Sequence, residues 1–137
     1  MAWQYESSTG KLYDTDGKFV GQGYAGGGLD KNNAICAAGK NNPAYQNVHN
    51  CGPLPEGMYT ANAPVDTQTH GPYVIWCTPD DTNEMYGRDF FGMHGDSVVD
   101  PGWASDGCIV QTHATRVAWW ESGDRRLQVL ANIGASA

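Results

Sequence analysis

The sequence predicts a mainly β fold, a β-rich α+β arrangement with one or two short helices. Three observations predict it. Apolar and polar residues alternate along several short runs, which is the period of a half-buried strand. Eighteen glycines and seven prolines are spread along the 137 residues, so turns are frequent and long helices have little room. Helical start and stop signals bracket one stretch near the C-terminus. The length suits one domain, residues 1–137, with its own core.

The elements follow in chain order. "AWQYES" alternates and reads as a strand. "GKLYDTDGKFVGQGY" carries a turn-forming "DTDG" between two short runs, a β-hairpin over residues 11–24. The stretch from "AGGGLDKNN" to "CGPLPEG" is loop-like, and a loop of that length is usually functional or disordered. Its Tyr, Val and Cys residues argue for order. "GMYTANAPV" and "PYVIWCTP" read as strands. "NEMYGRDFFGMHG" is expected to open with a helical turn and to end in a strand carrying His94. "GCIVQ" is a short apolar run. "THATRVAWWES" is the helix, with Thr112 or Thr115 able to cap it and Gly123 able to end it. Trp119 and Trp120 are adjacent and face different sides, so one belongs to the core. "RLQVLANI" alternates Leu127, Val129, Ala131 and Ile133 as a final strand.

Charge and composition exclude several functions. The net charge is −7, which disfavours nucleic acid and anionic membrane surfaces, since both need clustered Lys and Arg. No apolar run reaches the roughly 20 residues of a membrane span. "MAWQYESSTG" has no basic start and no apolar core of a secretory signal, so the chain is expected to be made in the cytoplasm and exported by another route. No two of the four cysteines form a C-x-x-C pair, and His49, His70 and His113 lack paired ligand spacing. No metal and no cofactor is expected. Cys36 and Cys51 flank a Gly/Asn-rich loop and are candidates for a disulfide in an oxidising compartment. Cys77 lies in the apolar run "YVIWC" and reads as a small buried hydrophobe.

The stretch "HGDSVVDPGWASDGC" concentrates the chemistry, from His94 to Cys108. Its residues leave two readings open. Cys108 is a nucleophile with His94 as its base, or Cys108 is a buried structural cysteine and His94 a strand-end histidine. Under the first reading Gly107 turns the chain tightly before Cys108. The amides of Asp106, Gly107 and Cys108 are then candidates to face a developing oxyanion.

The motifs resemble a known family. "HGDS…ASDGCIV" is similar to the active-site signature of L,D-transpeptidases of the YkuD type, a histidine followed by Ser/Thr-His-Gly-Cys. "WQYESSTGKLYDTDG", "GYAGGG", "KNNPAYQNVHNCGPLPEGMYT", "THGPYVIWCTP" and "FGMHGDSVVDPGWASDGCIV" resemble the small L,D-transpeptidase-related toxins delivered by type VI secretion. The similarity runs from about Trp3 to the helix near Trp120. It implies an L,D-transpeptidase-like β-sandwich and a peptidoglycan stem peptide as substrate. It implies Cys108 as nucleophile, His94 as base, and Ser105 and Gly107 as signature residues. The chain has Asp106 where the signature has its second histidine, and an aspartate there opposes thiolate formation unless it points away or meets a cation. The implied setting is the periplasm of target bacteria, with an immunity protein and secretion machinery as partners.

A substrate rich in carboxylates suggests cationic contacts, and Arg88 and Arg116 are the candidates flanking the motif. Asp96 and Ser97 are placed to orient His94 or to cap the loop. Tyr45 and Gln46 are candidates to line the cleft, and His70 is structural or a cleft wall. Two rival readings stand: a phage lysin on the same fold, and a peptidoglycan-binding module without catalysis.

Overall fold

A computed structural model describes residues 2–133. Ten strands and two helices make up the regular structure: β1 (Ala2–Glu6), β2 (Lys11–Tyr13), β3 (Phe19–Gln22), β4 (Tyr24–Ala25), α1 (Ala34–Ala37), β5 (Gly57–Ala61), β6 (Val65–Thr67), β7 (Gly71–Pro79), β8 (Gly92–His94), β9 (Ile109–Val110), α2 (His113–Glu121) and β10 (Arg126–Leu130). The β-rich class with two short helices is therefore what the chain adopts. Hydrogen bonding runs unbroken in the order β3-β2-β1-β10-β5-β7-β8-β9-β4, with β6 paired to β7 off this path. The nine-residue β7 makes this continuity possible. It pairs with β5 through Cys77–Pro79, with β6 through Gly71–Val74, and with β8 through Ile75 and Trp76.

Alternation decides which face is buried. Trp3 and Tyr5 on β1 stand in register with Leu127 and Val129 on β10, and Leu127 in turn with Tyr59 on β5. All five are buried, and Trp119 of α2 packs against this layer with its ring 6.4 Å from that of Trp3. Trp119 is thus the core member of the tryptophan pair, and Trp120 is half-buried under Arg125. Thr112 caps α2 by accepting from the Thr115 amide, and Gly123 follows with φ +82°. The 11–24 hairpin forms as β2 and β3, closed by the Asp14 carboxylate accepting from the amides of Asp16 and Lys18. Two expectations change. "NEMYG" forms turns rather than a helical turn, with Tyr86 at φ +55°. The final strand ends at Leu130, where the Ala131 amide turns to the Glu56 carboxylate.

The long stretch between β4 and β5 is ordered by bonds within it. Cys36 and Cys51 are joined, with Cα atoms 4.5 Å apart. Asn41 exchanges hydrogen bonds with Ala25, and the Gly27 amide donates to the Cys51 carbonyl at 2.7 Å. Closing a loop of 15 residues removes unfolded-state entropy worth about 3 kcal/mol. Replacing both cysteines by alanine should lower the unfolding free energy by about that amount. Chemical denaturation of the two proteins checks it, and equal midpoints would contradict it.

Candidate active site

The parallel pair β8–β9 sets the site. Met93 is opposite Ile109 and His94 is opposite Val110. Extending that register puts Cys108 beside Gly92, and in-register neighbours share a sheet face. His94 and Cys108 therefore project from one face, two residues apart along adjacent strands. Met93 and Ile109 point the other way into the core. Two adjoining cavities open on this face. One of about 310 Å³ is lined by Cys108, Phe90 and Phe91 among others, and one of about 630 Å³ by His94, Asp96, Ser97 and Trp103. His70 and Asp106 line both, so they stand where the cavities meet. His70 packs between His94 (ring centroids 5.1 Å) and Trp76 (5.2 Å), and Phe90 continues the row against Trp76.

The two reactive groups are poised differently. Burial pushes the Cys108 thiol up to about 12. The Asp106 charge adds to this, while the Gly92 N–H and Arg88 pull it down. At neutral pH the resting group is a thiol. Burial holds His94 below its ordinary value, helped by His70 and Arg116 and opposed by the Gly95 carbonyl and Asp106. The Nδ1 atom of His94 lies 2.7 Å from the Gly95 carbonyl oxygen. A carbonyl only accepts, so Nδ1 carries the proton and Nε2 keeps its lone pair. A neutral histidine with a free Nε2 is the form a general base requires.

The turn before Cys108 is held from three sides. Ser105 is fully buried. Its hydroxyl donates to the Cys108 carbonyl and accepts from the amides of Gly26 (2.9 Å) and Gly107 (3.1 Å). Those three bonds exhaust one donor and two lone pairs. The Ser105 carbonyl accepts from Gly28, and the Gly107 carbonyl from Leu54. Gly107 has φ +155°, and a Cβ there would lie 2.6 Å from the Phe91 ring and 2.7 Å from the Arg88 guanidinium. Of the three amides considered for an oxyanion, that of Gly107 is taken up by Ser105.

Arg88 lines the smaller cavity and Arg116 lines neither, and both side chains are committed to backbone carbonyls. Both are buried. Arg88 gives its four terminal N–H groups to the carbonyls of Gln46, Pro53, Gly52 and Asp106. Arg116 donates to Tyr73, Gln111 and Pro72. Gln46 is turned away as well, its amide paired twice with Glu56, and neither it nor Tyr45 lines either cavity. Asp96 and Ser97 organise the loop rather than bond to His94. Asp96 accepts from the Tyr24 hydroxyl and the Ser97 and Gly102 amides, and Ser97 from the Val99 and Asp100 amides. These bonds outweigh its partial burial and hold the Asp96 carboxyl below the usual carboxylate range. Sequence reasoning missed Tyr24 and Lys40. Tyr24 joins Asp96 to the Ala104 amide, and Lys40 lies over the Tyr24 and Trp103 rings while donating to Gly102. "GYAGGG" was the available signal for Tyr24. Among the described residues no three His, Cys, Asp or Glu side chains group as metal ligands do.

Ser105→Ala leaves the Gly26 and Gly107 amides buried without that acceptor. It should cost about 2 kcal/mol or more of stability, since each orphaned amide costs about 1–3 kcal/mol. Thermal denaturation of the variant checks this, and an unchanged melting point would refute it.

Comparison with known proteins bears on one family. The model of the Tlde1 domain matches residues 36–132, a span that holds the disulfide, the lining of the smaller cavity, all of the larger cavity's lining but Leu29, and the pair on β8 and β9. Strands β1–β4 lie outside the match. No curated protein and no solved structure matches the chain. With most of its length covered, the chain belongs to the Tlde1 domain family, a family of type VI secretion effectors.

Proposed function

We propose that this protein is a peptidoglycan-modifying cysteine enzyme acting on tetrapeptide stems, as an L,D-carboxypeptidase, an L,D-transpeptidase, or both. The observation that carries the reading is the parallel pairing of β8 and β9, which sets a neutral histidine and a thiol on one face above two adjoining cavities. The similarity of "HGDS…ASDGCIV" to the L,D-transpeptidase signature supports the chemistry. Membership of an effector family supports the setting, a toxin acting in the periplasm of rival bacteria.

In the first step the Cys108 thiol gives its proton to His94 Nε2 as the sulfur attacks the carbonyl between the diamino acid and the terminal D-alanine. The C–N bond breaks, the leaving amine takes the proton from His94, and a thioester remains. Water resolving the thioester gives a shortened stem, and a D-amino acid or a second stem's amine gives exchange or cross-linking. Each route returns the proton to sulfur. The resting thiol is no reactive thiolate, so proton transfer accompanies attack. Loss of tetrapeptide donors would starve cross-linking. Partners that follow are the cell wall, an immunity protein in the producer, and a component of the secretion machinery. No helix among the described residues is long and apolar enough to cross a membrane.

Disaccharide-tetrapeptide incubated with the protein should lose D-alanine, or exchange it when a free D-amino acid is present, by mass spectrometry. Cys108→Ala should abolish both. Intact stems with the unaltered protein would sink the catalytic reading and favour a binding module. Protonation of His94 removes the base, and its pKa is depressed. The acid limb of kcat/KM should therefore fall below the ordinary histidine value. A limb at or above that value would contradict the assignment of the base.

A further inference from the structure

The cavities beside the nucleophile are lined by carboxylates and lack a free cationic side chain. Asp89 lines the smaller and Asp96 the larger, and a further cavity reaching Asp106 is lined by Asp30. No lysine lines any of the three. Arg88 reaches the smaller, but its four terminal N–H groups already serve carbonyls. The carboxylates are not equivalent. Asp96 is consumed by Tyr24 and two loop amides. Asp106 is exposed, and among the described residues no hydrogen bond or ion pair engages its carboxylate. Its main chain is nonetheless fixed, because Arg88 holds its carbonyl and Ser105 holds the next amide. Asp89 is likewise exposed and unengaged among the described residues but lines only the smaller cavity, whereas Asp106 lines all three, close to Cys108 and on a fixed main chain.

Resting on the proposed function, we infer that Asp106 is the residue that recognises a primary ammonium group of the substrate. A carboxylate that no hydrogen bond engages, though it feels the buried Arg88 charge, selects a cation from the solvent side, and an ammonium supplies both charge and N–H donors. A stem offers such a group on its diamino acid side chain, and an amino-acid acceptor offers one at its α-nitrogen. The position has a second effect. Asp106 stands against thiolate formation in the empty site, and an ammonium paired with it offsets that field. Occupancy by the right substrate and relief of the thiol are then one event. The other groups acting on Cys108 are Arg88, the Gly92 N–H, the Phe90 carbonyl and the Cys77 thiol, and none of them carries an exposed negative charge.

Binding, rather than turnover, tests this. Cys108→Ala protein, full length, is titrated calorimetrically with disaccharide-tetrapeptide carrying a free or an N-acetylated side-chain amine, and separately with D-alanine. The titrations are repeated with Cys108→Ala/Asp106→Asn, whose melting temperature should match because the side chain is exposed. Acetylation should weaken stem binding about tenfold in the Asp106 protein and have little effect in the Asn variant, if the donor stem supplies the ammonium. If the acceptor supplies it, D-alanine binding should fall about tenfold in the Asn variant instead. Stem binding that ignores both acetylation and Asp106, with D-alanine binding equally unaffected, overturns the inference and leaves the enzyme reading standing. No binding of any stem to either protein overturns both.

Discussion

The Ser105 hydroxyl is the interaction on which the site depends. It is a small group with one proton and two lone pairs, and all are spent in a position closed to water. Its three partners come from different parts of the chain: the glycine loop after β4, the turn at Gly107, and the backbone of Cys108 itself. A buried hydroxyl with complete partners is rigid because any shift orphans an amide or a carbonyl. The Cys108 backbone is therefore held through the Ser105 hydroxyl and the bonds around it. Gly107 follows from the same arrangement, since Phe91 and Arg88 fill the space its side chain would take.

The arginines solve a related problem. A stretch of more than thirty residues with little regular structure carries carbonyls that no strand or helix satisfies. Arg88 collects three of them, from Gln46, Gly52 and Pro53, and, with the Asp106 carbonyl as its fourth partner, fastens the disulfide-bearing segment to the turn before Cys108. Arg116 does the same for the start of β7 and the end of β9. Each also leaves a positive charge behind the site. Arg88 pulls the Cys108 thiol down against its burial, and Arg116 helps keep His94 neutral.

What could be read from the sequence was whatever local spacing encodes. The alternation of Trp3 and Tyr5 and of Leu127 and Val129 gave their buried face, "DTDG" gave the hairpin, and Thr112 and Gly123 bounded α2. The pairing of His94 with Cys108 was proposed from residue type and spacing. The parallel register that sets them on one face, two residues apart, is a property of strand order, which spacing does not carry. Arg88, Arg116 and Gln46 read as cleft residues because a charged or polar side chain near a motif has no local mark of its partner, and of these Arg88 alone lines one of the two cavities. Their partners are backbone groups or, for Gln46, Glu56, and they became visible only once the chain was folded. "NEMYG" has helical residues, but Tyr86 adopts a left-handed backbone that ends any helix there.

Parallel neighbours cannot be joined by a tight hairpin, because the chain must return to the end from which it started. The residues between His94 and Cys108 are that return path. Asp96, Ser97, Trp103 and Ala104 on it form a wall of the larger cavity. Chemistry and selectivity are consequently written in separable parts of one segment. The ladder between β8 and β9 and the Ser105–Gly107 turn at the end of the connection together hold His94 and Cys108. The tip of the connection, Val98 and Val99, stands almost fully in solvent, away from the bonds that hold Cys108. A scaffold of this kind can change what it accepts while leaving untouched how it reacts.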